Sequence, residues 1–361
     1  GNTNRIIEIF HYHGAKDEIL YEAHPHIGTD ILSVVVTNIR KTILECGGQI
    51  LFSAKVTNIL IENGKAKGVR LADNRVLKSD FVILATGHSA RDIYRLLQEK
   101  NIAIQAKGFA MGVRVEHPQE LINHIQYKGY KSEFLPAASY NLTSQVDGRG
   151  VYSFCMCPGG MIVPSATERG QVVVNGMSSS ARNSQFANSG IVVELHPKDF
   201  TEFHQYDELC GVYFQQQLEH LAYASNGGQN QKAPAQRLTD FIRGRLSADI
   251  HKSSYLPGIV SSPIHFWLPK LIGDSLREGF SVFDKKMKGF VTSEAIILGV
   301  ESRTSSPVRI PRHKDTLQHI QIQGLYPCGE GAGYSGGITS SAIDGQRVAE
   351  QISLIYNEKN R

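Results

Sequence analysis

Five glycines stand within nine positions, Gly329, Gly331, Gly333, Gly336 and Gly337, between an apolar stretch at residues 320–328 and an amphipathic pattern at residues 338–356. Few arrangements tolerate so much glycine in one place. Strand, glycine turn and helix in that order leave backbone N–H groups uncovered, with the positive end of the helix dipole aimed at any anion that settles there. A tight turn that holds no ligand uses the same residues, because glycine adopts conformations that other residues resist. Gly331, Gly333 and Gly336 also satisfy G-x-G-x-x-G. That fingerprint needs a second strand and an acidic residue about 20 positions further on, inside a βαβ unit. Only one helical pattern follows here.

A second signal is the wholly apolar run at residues 81–85, which leads into Thr86-Gly87-His88. Such a run reads as a strand in the middle of a parallel sheet, whose carboxyl end lets a flat or phosphorylated ligand come close. A strand-to-helix turn capped by Thr86 or Ser89 is the plain alternative. Around it, residues 1–98 alternate helix and strand. Thr29 or Asp30 is expected to cap a helix running to about Glu45, with Ile31, Val34, Val35, Ile39, Ile43 and Leu44 on one face and Cys46-Gly47-Gly48 as its stop. A strand is expected at residues 49–53. Residues 56–62 and 66–71 form a hairpin about Asn63-Gly64. From residue 101 to 318 the texture changes to strands at 151–157, 171–175 and 191–195, helices at 200–224 and 267–280, and a polar loop at 225–232. The expected fold class is α/β: an incomplete FAD/NAD(P)-type Rossmann-like domain made from residues 1–100 and 319–361, with a β-rich α+β domain, residues 101–318, inserted.

Composition narrows the classes. Of 361 residues, 41% are hydrophobic and 20% charged, which is ordinary for a chain with a packed core. The apolar runs are far shorter than the roughly 20 residues a membrane helix needs, so no membrane association is expected. The net charge of +4 is spread out, and its densest stretch, RIPRHK at 309–314, is too short for a nucleic-acid footprint. No charged-then-apolar leader opens the sequence. Five cysteines at irregular spacing do not make a disulfide framework, and a cytoplasmic setting is expected.

Three constellations stay open on the residues alone. Cys155 and Cys157 flank Met156 on one face of an expected strand, and read either as a redox dithiol or as small buried hydrophobes. His11 and His13, and then His24 and His26 near Glu22, read as a metal site or as surface and capping histidines; no metal is expected. Arg303, with Glu301 and Arg309 nearby, reads as a grip on a substrate carboxylate or as an arginine paired with Glu301. No catalytic acid or base stands out.

Five stretches carry a family resemblance: EAHPHIGTD at 22–30, FVILATGHSARD at 81–92, CPGGMIVPSA at 157–166, VESRTSSPVRI at 300–310 and YPCGEGAGYSGGITSSAIDG at 326–345. Together they resemble FAD-dependent oxidoreductases with a glutathione-reductase-like FAD domain, and within them a bacterial group of uncharacterised FAD-dependent dehydrogenases. The resemblance implies FAD as cofactor, NAD(P)H as a possible electron donor, and hydride transfer to or from a small-molecule substrate. By the same resemblance Val56 would lie along the adenine, and Ala85, Thr86 and Gly87 near the pyrophosphate. Gly329, Glu330, Gly331, Ala332 and Gly333 would line the ribityl chain and flavin edge, with Gly337 and Ile338 at the helix start. Cys157 and Arg303 would face the substrate, on the flavin side of the inserted sheet. Glu330 stands where such proteins commonly place Asp.

One departure is plain: these flavoproteins open on a βαβ unit whose G-x-G-x-x-G turn holds the pyrophosphate, and nothing before Thr29 matches it. The expectation is a flavoprotein fragment that lacks this segment, binds FAD poorly and is itself inactive. It would expose an edge of the 81–85 strand, to be covered by a second copy of the chain or by residues 1–28. The alternative is a ligand-binding or partner-docking module that kept the fold without the chemistry. Colour separates the two, since a flavoprotein preparation is yellow.

Overall fold

The structure, a computed structural model, describes residues 3–23 and 25–359. It is a mixed α/β protein built on a large sheet. Eight strands run in the order Ile259–Ser261, Ala233–Arg237, Ile296–Glu301, Phe109–Pro118, Phe186–Leu195, Arg149–Pro164 and Thr143–Val146, with Val174–Ser178 also pairing on Arg149–Pro164. All pair antiparallel except Ile259–Ser261 on Ala233–Arg237. The central strand Phe109–Pro118 is buried at nine successive positions, because both its faces are covered and polar alternation has no place. Helix Lys270–Lys286 lays Ile272, Leu276, Phe280 and Phe283 in this core at helical spacing. Phe280 and Phe283 both meet the ring of Phe290. The buried apolar residues of this cluster run from Phe109 to Val300.

Three smaller clusters draw on both ends of the chain. Ile59, Leu84, Tyr94 and Leu97 meet Ile322, Leu325 and Ala332, joined by Leu209, Val212 and Val308. Ile6, Phe10 and Val35 pack with Ala342 and Ile343, and Phe81 packs with Tyr326, Cys328 and Val348. Helix Thr3–Tyr12 thus lies against helices Thr29–Glu45 and Ile338–Lys359. Beside them a three-stranded meander, Val56–Glu62, Lys65–Leu71 and Val76–Lys78, turns at Asn63-Gly64, where both residues take positive φ (50° and 74°) as a two-residue hairpin turn requires.

Several expectations are corrected. Residues 49–53 are irregular, with a turn at Phe52-Ser53 and no strand, and Leu51 and Phe52 stand exposed. The 81–85 run is a three-residue strand, Val82–Leu84, whose one ladder partner among the described residues is the parallel strand Leu325–Pro327. It is not a central strand, and Ile83 is exposed. The 200–224 helix breaks at Asp207 (φ 50°) into a 3-10 stretch, Thr201–Leu209, and helix Cys210–Ala224. The 267–280 helix begins at Lys270, because Pro269 occupies its N-cap. Gly28, not Thr29 or Asp30, caps helix Thr29–Glu45. The Thr29 hydroxyl instead donates to the Ser178 carbonyl, and the Asp30 carboxylate accepts from the Ser180 N–H and hydroxyl. No helix among the described residues is long and apolar enough to cross a membrane.

Candidate functional site

The paired strands Val82–Leu84 and Leu325–Pro327 both deliver a turn at their carboxyl ends, and the two turns touch. A Cβ at Gly331 would sit 2.5 Å from the carbonyl carbon and oxygen of Gly87, so only glycine lets the backbones meet. Gly87 and Gly329 hold positive φ (72° and 76°). Tyr94, from helix Arg91–Glu99, locks the junction by donating to the Gly331 carbonyl at 2.7 Å and bonding the Ser306 hydroxyl at 2.9 Å. Behind it the Gly329 N–H donates to Asp344, which also takes a two-pronged contact from Arg312 (2.6 and 3.0 Å). Burial opposes ionisation of Asp344, but the Arg312 contact and the Gly329 N–H outweigh it and hold the carboxyl below its ordinary range. Arg312 in turn lies 3.8 Å over the Tyr334 ring.

In front of the junction the space is open. No atom lies within 4 Å of where a Cβ would stand at Gly87, Gly336 or Gly337, beside the start of the 22-residue helix Ile338–Lys359, and Ile338 is exposed. Bare glycine backbone and a helix N-terminus next to open room fit an extended, phosphorylated, flat ligand such as a flavin nucleotide. Ala85 and Thr86 are exposed at the rim and Ala332 is buried behind it. Gly333 is held against Val308 and Arg309, where a Cβ would lie 2.9 Å from the Val308 carbonyl. Val56, by contrast, opens the meander opposite Leu71, on a separate element.

Glu330 and His88 face each other across the junction, with Nδ1 of His88 3.9 Å from the Glu330 carboxylate. Burial raises the Glu330 pKa, with Lys107 pulling the other way. Burial pushes His88 down to about 4 against a hydrogen bond with the Ser305 backbone, and the charges of Arg303 and Arg91 push the same way as burial. His88 is therefore neutral near pH 7, and its contact with Glu330 is not an ion pair. His117, bonded to the Phe290 carbonyl at 2.8 Å, is likewise pushed to about 4 by burial. For both groups the unfolded chain binds protons between pH 6.5 and 4 that the native state refuses. Their stability contribution is complete above pH 6.5 and falls away as pH drops towards 4. Denaturant unfolding at pH 7 and pH 4.5 is expected to differ by about 2–3 kcal/mol per histidine, at about 1.4 kcal/mol per pKa unit. His117→Gln removes its share, and equal stability at both pH values would refute the assignment.

Sequence reasoning missed the group beneath the turn. Glu219, fully buried, accepts two bonds from Arg91 (2.8 and 2.8 Å), two from Arg303 (3.1 and 3.1 Å) and one from the Ser302 hydroxyl (2.7 Å). Arg303 also donates to Ser89, Thr167 and Gln171. All five of its N–H groups are thereby spent on protein acceptors. Its partner is Glu219 and not Glu301, which pairs with the buried Arg114 at 3.0 Å. Arg303 thus anchors the Thr86–Ser89 turn from below, whereas Cys157 belongs to the Arg114 cluster in the main sheet. The one available sequence signal was Arg91, a charged residue directly after a glycine turn at the head of an amphipathic helix.

The described histidines of these pairs, His11, His13 and His26, each bond a different partner. His11 contacts Asp17, His13 bonds Ile9 and Thr42, and His26 bonds the Ser179 carbonyl, while His24 lies outside the described residues. Among the described residues no group of three or more His, Cys, Asp or Glu could hold a metal ion.

The family described as "FAD-dependent protein, C-terminal domain-like" matches residues 108–304. An uncharacterized protein from Clostridium beijerinckii is 45% identical over 344 residues, which cover 94% of this chain and 63% of the relative. The chain thus spans less than two thirds of that relative's length. Among solved structures, an oxidoreductase from Methanosarcina mazei aligns over 89% of this chain and 54% of its own at 14% identity and a TM-score of 0.39. CtdE in complex with FAD aligns over 86% and 57% at 9% identity and a TM-score of 0.32. Likenesses as distant as these two say nothing of what this chain acts on.

Proposed function

This chain belongs to the family of FAD-dependent proteins that share this C-terminal domain, and from that membership we propose that it serves a cytoplasmic flavin-dependent oxidoreductase of the dehydrogenase type. The observation that carries the reading is the Gly87–Gly331 contact at the carboxyl ends of two parallel strands, open towards a helix N-terminus. In this reading residues 1–100 and 319–361 are part of a glutathione-reductase-like FAD domain, and residues 101–318 carry the substrate side. Gly329 to Gly333, with Gly337 and Ile338, hold the flavin and ribityl half. Ala85, Thr86 and Gly87 approach the pyrophosphate, and Val56 lies along the adenine. Bound flavin supplies two-electron chemistry between a small-molecule substrate and an acceptor, with NAD(P)H as the proposed donor.

The chain's own groups then have defined tasks. Arg91, Glu219 and Arg303 fix the Thr86–Ser89 turn. Tyr94 fixes Gly331. Glu330, its pKa raised by burial, and neutral His88, 3.9 Å away, are proposed as the groups that would hold a proton at the turn when flavin is bound. The unit that grips the pyrophosphate is proposed to lie outside these 361 residues. The edge of strand Val82–Leu84 is proposed to be covered by a second copy of the chain; Ile6, Phe10, Ala15 and Ile19, from the other expected cover, pack instead with Val35, Ala342 and Ile343.

Absorbance spectroscopy and calorimetry test the reading. The complete gene product is expected to purify yellow, and the 361-residue chain to bind FAD more weakly than micromolar. A colourless complete protein that takes up no FAD would overturn the function. Micromolar binding by the 361-residue chain would overturn the assignment of the pyrophosphate grip to another segment.

A further inference from the structure

Strand Arg149–Pro164 is interrupted where it passes Phe186–Leu195: Gly190 pairs with Phe154 and Asn188 with Cys157, so one more residue stands on the first strand than on the second. The bulge holds Cys155 at φ 46°. In a regular strand residues two apart share a face but keep their side chains too far apart to bond. Here the left-handed residue folds the backbone back, and the Cys157 thiol donates to the Cys155 carbonyl at 3.3 Å. Cys155 is exposed and Cys157 is buried.

Beneath the pair lies Arg114, wholly buried. Its Nη2 donates to the Cys155 carbonyl (2.6 Å) and the Cys157 sulfur (3.5 Å), while Nε bonds Asn188 and Nη1 bonds Glu301. The guanidinium reaches the bulge over Gly176, where a side chain would occupy its place. A fixed cation under an exposed cysteine, with a second thiol turned back onto that residue by the bulge, is the arrangement of an attacking and a resolving cysteine.

We propose that Cys155 and Cys157 form a reversible redox dithiol that exchanges with low-molecular-weight disulfides. The Cys155 thiolate attacks one sulfur of the disulfide, forming a mixed disulfide and expelling one thiolate. Cys157 then gives up its proton and attacks the Cys155 sulfur, closing the Cys155–Cys157 bond and releasing the second thiol. The protein dithiol loses two electrons, and the small disulfide is reduced to two thiols. The neighbouring Cys157 draws the Cys155 pKa down, with burial opposing and the Arg114 charge assisting, while Cys157 is pushed up. One thiol is thus ready near pH 7 and the other waits as a thiol.

The test uses the full chain, glutathione disulfide as oxidant and peptide mass mapping. Wild type is expected to lose two hydrogens in a peptide joining Cys155 to Cys157, regained with dithiothreitol. Cys157→Ser is expected to stop at a glutathione adduct on Cys155, and Cys155→Ser to stay unmodified at Cys157. With iodoacetamide at pH 7, Cys155 is expected to react about tenfold or more faster than the exposed Cys46. Reaction of Cys155 no faster than Cys46, or adducts in wild type without the internal bond, would overturn the proposal. Neither readout uses a flavin signal, so the result stands apart from the flavin reading.

Discussion

Glu219→Ala is expected to lower the free energy of unfolding by about 3–5 kcal/mol, or to leave no folded protein at all. Glu219 is the carboxylate shared by two buried arginines, Arg91 and Arg303, and its removal strands both guanidiniums without a counter-charge. The Ser302 hydroxyl loses its acceptor in the same step. Surface ion pairs of the same chain give the contrast: Lys131 and Glu120 are about four-fifths exposed, and Lys131→Ala should change stability by less than about 1 kcal/mol. Guanidinium chloride titration of both variants measures the difference. A loss at Glu219 no larger than that at Lys131 would show that the buried network is not what holds the turn.

The second large effect is expected at Gly331→Ala. The new methyl would press on the Gly87 carbonyl at 2.5 Å, and both atoms are backbone, so one turn must move away from the other. The overpacking costs about 1–3 kcal/mol of stability. In the flavin-loaded complete protein the separation also spoils the proposed binding surface, so FAD affinity is expected to fall by tenfold or more. Gly273→Ala, in helix Lys270–Lys286 of the main core, is the control, since nothing lies within 4 Å of its added methyl. Equal FAD affinity in the two variants would remove the Gly87–Gly331 contact from the site.

Features set by neighbours in sequence were legible without coordinates. Asn63-Gly64 forces its hairpin, Gly47 ends a helix at positive φ, and the glycine run precedes the Ile338–Lys359 helix as its composition demands. Features set by distant partners were not. Arg303 was weighed against Glu301, two residues away, yet its carboxylate is Glu219, 84 positions off, and Arg91 finds the same group across 128. The apolar run at 320–328 promised a long strand, but among the described residues only Leu325–Pro327 forms a ladder, and Gln323 adds a single bridge to Lys65. A pattern of apolar residues shows that a segment can be buried and leaves open which surface buries it.

The parallel ladder of Val82–Leu84 with Leu325–Pro327 has a consequence for how the chain comes to be folded. Its two strands come from opposite ends of the sequence, so closing it straight from the unfolded chain carries a large loop entropy. The core between Phe109 and Val300 draws on one continuous stretch and shortens that loop once it condenses. During synthesis the stretch from Ile59 to Ile104 therefore waits, its apolar side uncovered, until Leu325 and Ala332 emerge to complete its cluster. The glycine junction thus forms only after Gly331 has emerged, with the packing of Ala342, Ile343 and Val348 still to follow it along the chain.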